Sequence, residues 1–124
     1  MLAFTDPREA YRRSEIDARV HGGADPADLV LLCMEQAISS LGLALIAHER
    51  NDRAGRSKAL TRALSAVTAL DMGVDRDAPL ADALLQLYGA ARKAILDSVL
   101  AFDAEVLGRV RQDFIEIAAA LGRH

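Results

Sequence analysis

The side chains in this chain best suited to metal binding are three histidines, and they stand far apart, at His21, His48 and His124. A zinc site needs several ligands at short, fixed spacing, usually with Cys or carboxylate partners on the same helix face. None of the three has such a partner, so we predict neither a metal site nor a catalytic role for them. His48 lies near the end of a predicted helix, where a cation complements the helix dipole.

Three acidic residues in LDMGVDRD have spacing that superficially resembles a calcium-binding loop: Asp71, Asp75 and Asp77. The segment lacks the central Gly and the closing Glu of that motif. We interpret it as a capped connection between two helices.

The remaining candidates for chemistry also favour structural roles. Cys33 is the single cysteine, so it cannot form an internal disulfide, and its apolar surroundings are typical of a small buried hydrophobe in a reducing compartment. Tyr88 is interpreted as a packing residue. The sequence contains no Gly-rich phosphate loop, nucleophile elbow or clustered carboxylate pair, so we predict that it is not an enzyme and uses no cofactor.

The composition is typical of a helical bundle. The chain has 124 residues, enough for one domain, and 52% are hydrophobic but only 4% aromatic, so Leu, Ala, Val and Ile must build the core. The formal net charge of −3 gives no basic excess, which argues against nucleic acid. Uninterrupted apolar runs fall short of the ~18 residues of a membrane span, and the N-terminus does not resemble a secretory signal. We expect a cytoplasmic protein without membrane insertion.

Asp and Pro residues mark the starts of the predicted helices, because Asp caps free backbone N–H groups and Pro suits the first turn. The start signals are Asp6-Pro7, Asp25-Pro26 and Asp77-Ala78-Pro79, and Asp52 and Asp103 precede the two other helices. They predict a short arm helix over residues 7–20, a joint at Gly22-Gly23 and four longer helices. The longer helices are predicted over residues 26–49, 53–72, 79–101 and 104–121. Short loops make neighbouring helices antiparallel. We therefore predict an all-α, up-down-up-down four-helix bundle over residues 25–124, with an N-terminal arm and joint over residues 1–24.

The first and third long helices carry more apolar surface than a four-helix core needs. Each has a main stripe at three-four spacing. These stripes are Leu31, Met34, Ile38, Leu41 and Leu45 in the first helix, and Leu84, Tyr88, Ala91, Ile95, Val99 and Phe102 in the third. Weaker rows lie elsewhere on the same helices. These rows are Leu29, Cys33, Leu43 and Ala47, and Leu85, Leu96 and Leu100. The arm, a second subunit or a partner helix must cover them.

An ordered set of residues resembles the flagellin-specific export chaperone family, FliS, from Tyr11 to Leu121. The set comprises Tyr11, Val20, Ala24-Asp25-Pro26, Leu29-Val30, Glu35-Gln36-Ala37-Ile38, Leu70-Asp71, Leu80-Ala81, Leu84 and Leu87-Tyr88. The chain departs from the family pattern at four positions and has no Trp near its C-terminus. The four departures are Asp25 for Ser, Met34 for an aromatic residue, Gln36 for Gly and Ala90 for a second Tyr.

The resemblance implies a cytoplasmic bundle that binds the disordered C-terminal segment of flagellin, prevents premature polymerisation and presents it to the type III export apparatus. The export gate and a co-chaperone are candidate further partners. The predicted client contacts are Leu29, Cys33, Leu43, Leu85, Leu96 and Leu100. By the same resemblance, the arm with Tyr11 and Val20 covers part of the groove until a client displaces it.

Besides the chaperone, two other hypotheses remain open on the residues alone. In the second hypothesis, the chain is a helical adaptor for a different partner, or a homodimeric bundle in which the surplus apolar rows form a symmetric interface. The resemblance favours a monomer or weak dimer. An enzyme or metal protein that uses the histidines is the third hypothesis.

Overall fold

A computed structural model describes residues 26–122, which form four α-helices and no strand. The helices are α1 (Pro26–Glu49), α2 (Arg53–Met72), α3 (Ala81–Leu100) and α4 (Ala104–Leu121). The predicted all-α four-helix bundle is confirmed, as are the bounds of α1, α2 and α4. The predicted arm helix and joint, with Tyr11 and Val20, lie outside the described residues.

The helices follow one another around the bundle in chain order. α1 packs on α2 and α4, and α2 also packs on α3, whereas the backbones of α3 and α4 come close at few points and those of α1 and α3 at none. His48 at the end of α1 stacks on Phe102 in the turn between α3 and α4, with ring centroids 4.2 Å apart. Both short turns therefore lie at the same end of the bundle, as the up-down-up-down order requires.

Small residues bring α1 and α2 close together. The fully buried face of α1 includes Ala37 and Ala44 as well as Met34 and Leu41, whereas Ile38 and Leu45 of the predicted stripe are only partly buried. The buried face of α2 likewise contains three alanines, Ala59, Ala63 and Ala66. Alanine side chains let two helix backbones approach closely. The core face of α1 is thus rotated from the predicted stripe toward its alanines.

The turn between α1 and α2 is specified by two adjacent residues. Asn51 adopts a left-handed backbone with φ 56°, and the amides of Asn51 and Asp52 donate to the carbonyls of His48 and Ala47. This pattern is a Schellman motif. The Asp52 carboxylate then caps α2 by accepting from the Gly55 amide at 2.9 Å. The predicted capping role of Asp52 is confirmed.

The start of α3 differs from the prediction. The helix begins at Ala81 rather than Pro79, and the residue that precedes it, Leu80, has no side chain capable of capping. The Asp77 amide donates to the Asp75 carboxylate at 3.0 Å, within the turn that precedes the helix. Asp77 and Pro79 therefore belong to the connection between α2 and α3.

Arg111 of α4 ties that helix to the backbone of α1. Its Nε donates to the Ile38 carbonyl at 3.0 Å. A Cβ added at Gly42 would lie 3.1 Å from the same Nε atom, so this glycine makes room for the guanidinium. The contact explains why a glycine stands inside a long helix, where it costs about 1 kcal/mol relative to Ala.

We expect Arg111→Met to lower the free energy of unfolding by about 1 kcal/mol, because it removes one charged hydrogen bond while keeping the apolar stem. Urea unfolding followed by circular dichroism measures the change. The matched control is Arg109→Met, at an exposed position of the same helix, where we expect no measurable loss. Equal effects of the two substitutions would contradict the assigned role of Arg111.

Of the described helices, α1 alone is long and apolar enough to cross a membrane, over Ala27–Glu49, by length and composition. A core helix of a soluble protein passes the same test, and α1 contributes Met34, Ala37 and Leu41 to the core. Only 28% of its most apolar stretch is buried. Packing within the described bundle therefore leaves much of the apolar surface of α1 uncovered.

Candidate functional site

Large apolar side chains are exposed along the last turns of α3. Leu96 is 47% exposed, Val99 59% and Leu100 93%. Tyr88, Ala91 and Ile95 hold α3 in the bundle with their buried side chains. Because the buried and exposed sets lie on different faces of one helix, burying the first set leaves Leu96, Val99 and Leu100 toward solvent. We call these three residues, with the half-buried Leu85, the α3 surface.

A second group of apolar side chains is exposed on α1. Leu43 is 51% exposed and Ile46 45%, one turn before the end of the helix. Leu29, near the start of the same helix, is half-buried. We call Leu29, Leu43 and Ile46 the α1 surface.

The two surfaces lie on different sides of the bundle, because α1 and α3 are diagonal helices whose backbones do not come close to each other. Leu43, Ile46 and the exposed part of the α3 surface share the end that carries the two short turns. The structure therefore divides the predicted contacts into two sets, Leu29 and Leu43 on α1 and Leu85, Leu96 and Leu100 on α3.

Cys33 differs from the other predicted contacts because it packs against the core. It is half-buried beside the main cluster of buried side chains. Burial raises the pKa of its thiol, so the thiol remains protonated and weakly reactive at neutral pH. Burial also raises the pKa of Tyr88, and the proximity of Cys33 adds to that shift.

Two exposed residues of these surfaces were not predicted as contacts. Val99 was assigned to the core stripe of its helix, but it is 59% exposed, so that assignment is wrong. The buried face of α3 continues from Ile95 to Ser98, which is 2% exposed, so Val99, the next residue along the helix, is turned away from the core. Ile46 lies three residues after Leu43, and that helical spacing was the available signal for it.

The end of the bundle between the two surfaces is closed by an aromatic stack. His48 lies on the Phe102 ring, and the guanidinium of Arg56 lies 5.2 Å from the centre of that ring. Arg56 also donates to His48 Nδ1 at 3.1 Å. Since a guanidinium has only donors, Nδ1 is the acceptor of this hydrogen bond. His48 therefore closes this end of the bundle by stacking and hydrogen bonding.

No metal-binding cluster is present among residues 26–122, where no three His, Cys, Asp or Glu side chains are grouped to hold an ion. His21 and His124 lie outside that range. The Asp75 carboxylate accepts a hydrogen bond from the Asp77 amide in the turn before α3. What the described residues offer is apolar contact surface.

Comparison with known families gives one match that covers nearly the whole chain. The model of a family described as flagellar protein FliS matches residues 7–121. Among curated proteins, none matches this chain at a significant level.

Proposed function

This chain belongs to the FliS family of flagellar proteins, and from that membership we propose that it binds the disordered C-terminal segment of newly made flagellin. The family is one of flagellin export chaperones and not of enzymes. We propose further that binding prevents premature polymerisation, and that the chaperone then delivers flagellin to the export apparatus from the cytoplasm. The export gate and a co-chaperone are proposed as further contacts.

The observation that carries the proposal is the apolar surface that the bundle leaves outside its core. Leu43 and Ile46 on α1, and Leu96, Val99 and Leu100 on α3, each expose more than a third of their surface. A disordered segment that orders on binding needs apolar anchor sites, because burial of its own side chains must offset the entropy it loses. The α1 and α3 surfaces offer such sites.

The separation of the two surfaces constrains how a client is held. The backbones of α1 and α3, which carry the two surfaces, do not come close to each other, so we propose that one short client helix does not cover both. A client segment that uses both must therefore be extended enough to pass from one side to the other. We propose that Leu43, Leu96 and Leu100 make the main contacts, with Leu29, Leu85 and the accessible part of Cys33 at their margins.

The N-terminal residues are proposed to act separately from the bundle. We assign residues 1–24 to an arm and joint and residues 25–124 to the bundle. In this proposal Tyr11 and Val20 cover part of the client site until flagellin displaces them. The resemblance to the family supports this role.

The test is a titration of the purified chain against a synthetic peptide of the flagellin C-terminal segment from the same genome. We expect saturable one-to-one binding, followed by fluorescence anisotropy of a labelled peptide, because the chain itself has no Trp. A peptide of the same composition in scrambled order is the control.

Absence of saturable binding would overturn the proposed function. Light scattering at several protein concentrations completes the test, since a stable dimer that does not bind the peptide favours the homodimeric bundle instead. A monomer that binds the peptide but not the scrambled control supports the chaperone.

A further inference from the structure

α2 carries two cationic side chains without a partner. Over residues 53–70 the helix contains no Asp or Glu, and its charged side chains are all cationic: Arg53, Arg56, Lys58 and Arg62. Arg56 donates to His48, but Lys58 and Arg62 make no ion pair or side-chain hydrogen bond within the part of the chain that the structure describes. They stand four residues apart on one side of the helix, where two like charges destabilise it. A carboxylate from another chain would therefore be stabilised between them.

Lys58 and Arg62 lie on the side of α2 that faces outward next to α1. Each directly precedes a buried alanine, Ala59 or Ala63, of the face that packs against α1. Leu60, which directly follows Ala59, is buried in the core. Successive helix residues are rotated by about 100°, so the residues before the alanines are turned away from the core. Lys58 is accordingly exposed, and Arg62 is half-buried beside α1.

Leu43 has the corresponding position on α1. It directly precedes the buried Ala44 and is 51% exposed. Ile38 directly follows the buried Ala37, and its carbonyl accepts from Arg111 of α4. Residues that follow the alanines of α1 therefore border α4, whereas Leu43 lies on the other side of the alanines, next to α2.

Leu43, Lys58 and Arg62 line one groove between α1 and α2. The chain reverses its direction at Asn51, so residues equally far before and after it lie at the same level of the bundle. Leu43 precedes Asn51 by eight residues, and Lys58 and Arg62 follow it by seven and eleven. We call these three residues the α1–α2 groove. One of its walls is apolar and the other is cationic.

The last residue of a protein chain fits such a groove, because its carboxylate and its side chain leave the same Cα atom. The carboxylate can meet the cationic wall while the side chain contacts the apolar wall. A guanidinium binds a carboxylate through two parallel hydrogen bonds, and an ammonium one turn away adds a third donor. A C-terminal segment carries this anionic group whatever its sequence.

We propose that the α1–α2 groove holds the C-terminal carboxylate of the client between Lys58 and Arg62, with the final side chain of the client against Leu43. This inference rests on the proposed function. It fixes the direction of the client, because the end of the segment lies on the α1 side of the bundle. The preceding residues then run from there toward the α3 surface.

The test compares two forms of the flagellin C-terminal peptide, each labelled at its N-terminus. One form ends in a carboxylate and the other in an amide, which keeps the sequence but removes the negative charge. We expect wild-type chain to bind the acid about tenfold more tightly than the amide, equivalent to about 1.4 kcal/mol. Fluorescence anisotropy measures both affinities.

The double variant Lys58→Gln, Arg62→Gln is expected to bind the acid about tenfold more weakly than wild type and to bind the two peptides equally. Its free energy of unfolding in urea stays equal or rises, because the repulsion between the two cations is removed. The matched control is Arg53→Gln, Arg109→Gln, which removes the same charge from exposed positions outside the groove. We expect the control to keep the tenfold preference for the acid.

Equal binding of the acid and the amide by wild-type chain would overturn this inference and leave the proposed function standing. A tenfold preference that persists in the Lys58 and Arg62 variant would place the carboxylate elsewhere and also overturn it. Equal weakening of both peptides in that variant would do the same, since acidic side chains of the client would then be the partners. If wild-type chain binds neither peptide, the proposed function itself fails.

Discussion

Replacing Leu96 with Asp is expected to lower the affinity for the flagellin C-terminal peptide about a hundredfold while the bundle remains folded. Leu96 is 47% exposed, so the new carboxylate stays in water in the free chain. In the complex it would lie beneath an apolar client side chain. Lost burial of one Leu is worth about 1.5–3 kcal/mol, and desolvation of the carboxylate adds to it. Together these reach the ~2.8 kcal/mol that a hundredfold change represents.

The matched control is Met72→Asp. Met72 is 79% exposed, more than Leu96, and it lies at the end of α2, at the opposite end of the bundle from the exposed part of the α3 surface. We expect Met72→Asp to leave peptide affinity nearly unchanged.

Leu43→Asp on α1 is the companion variant. A loss of peptide affinity in this variant as well indicates that one client reaches both sides of the bundle. If Leu96→Asp binds the peptide as tightly as wild type while its circular dichroism is unchanged, the α3 surface is not the client site.

Helix ends are predictable from the sequence where the signal is local. Asp52 and Asp103 were read as helix starts, and each accepts from the amide three residues later, Gly55 and Val106. The side chain and the amide it caps lie within one turn, so no distant residue can change the outcome. Asp77 has the same residue type near a Pro, but α3 begins only at Ala81, and it is the Asp77 backbone amide that donates to the Asp75 carboxylate within the turn after α2. The extra residues of that turn move the start of α3 to Ala81.

Helix rotation is less predictable, because it depends on which neighbour packs most closely. The stripe of α1 was placed on its large residues, yet the face that is fully buried includes Ala37 and Ala44. The alanines of α2 decide this, and they lie on another helix. Val99 fails for a related reason, since a residue three or four positions after Ile95 fits a three-four pattern equally well, and the structure buries Ser98 rather than Val99.

The candidate site was therefore only partly accessible from the sequence. The surplus of apolar residues on two helices was visible as second rows, and Leu43, Leu96 and Leu100 of those rows are exposed. The two rows lie on different sides of the bundle because α1 and α3 are diagonal helices. Helix patterns in the sequence do not specify that placement.

Phe114→Ala is expected to produce the largest loss of stability, about 3–5 kcal/mol. Phe114 is fully buried in α4 and meets the Tyr88 ring of α3 edge-on, with centroids 6.2 Å apart and planes at 89°. α3 and α4 otherwise approach each other little, so this aromatic pair is a main connection between them. Its removal leaves a cavity and loses the edge-to-face contact, which is worth about 0.5–1.5 kcal/mol by itself.

Urea unfolding followed by circular dichroism measures this loss, with Leu121→Ala on the same helix as the control. Leu121 is 40% exposed, so truncating it is expected to cost under about 1 kcal/mol. Because small domains are stable by only about 5–15 kcal/mol, the Phe114 variant is expected to unfold at much lower urea concentrations than wild type. A loss no greater than that of Leu121→Ala would mean that α4 is held by α1 alone, through contacts such as that of Arg111 with the Ile38 carbonyl.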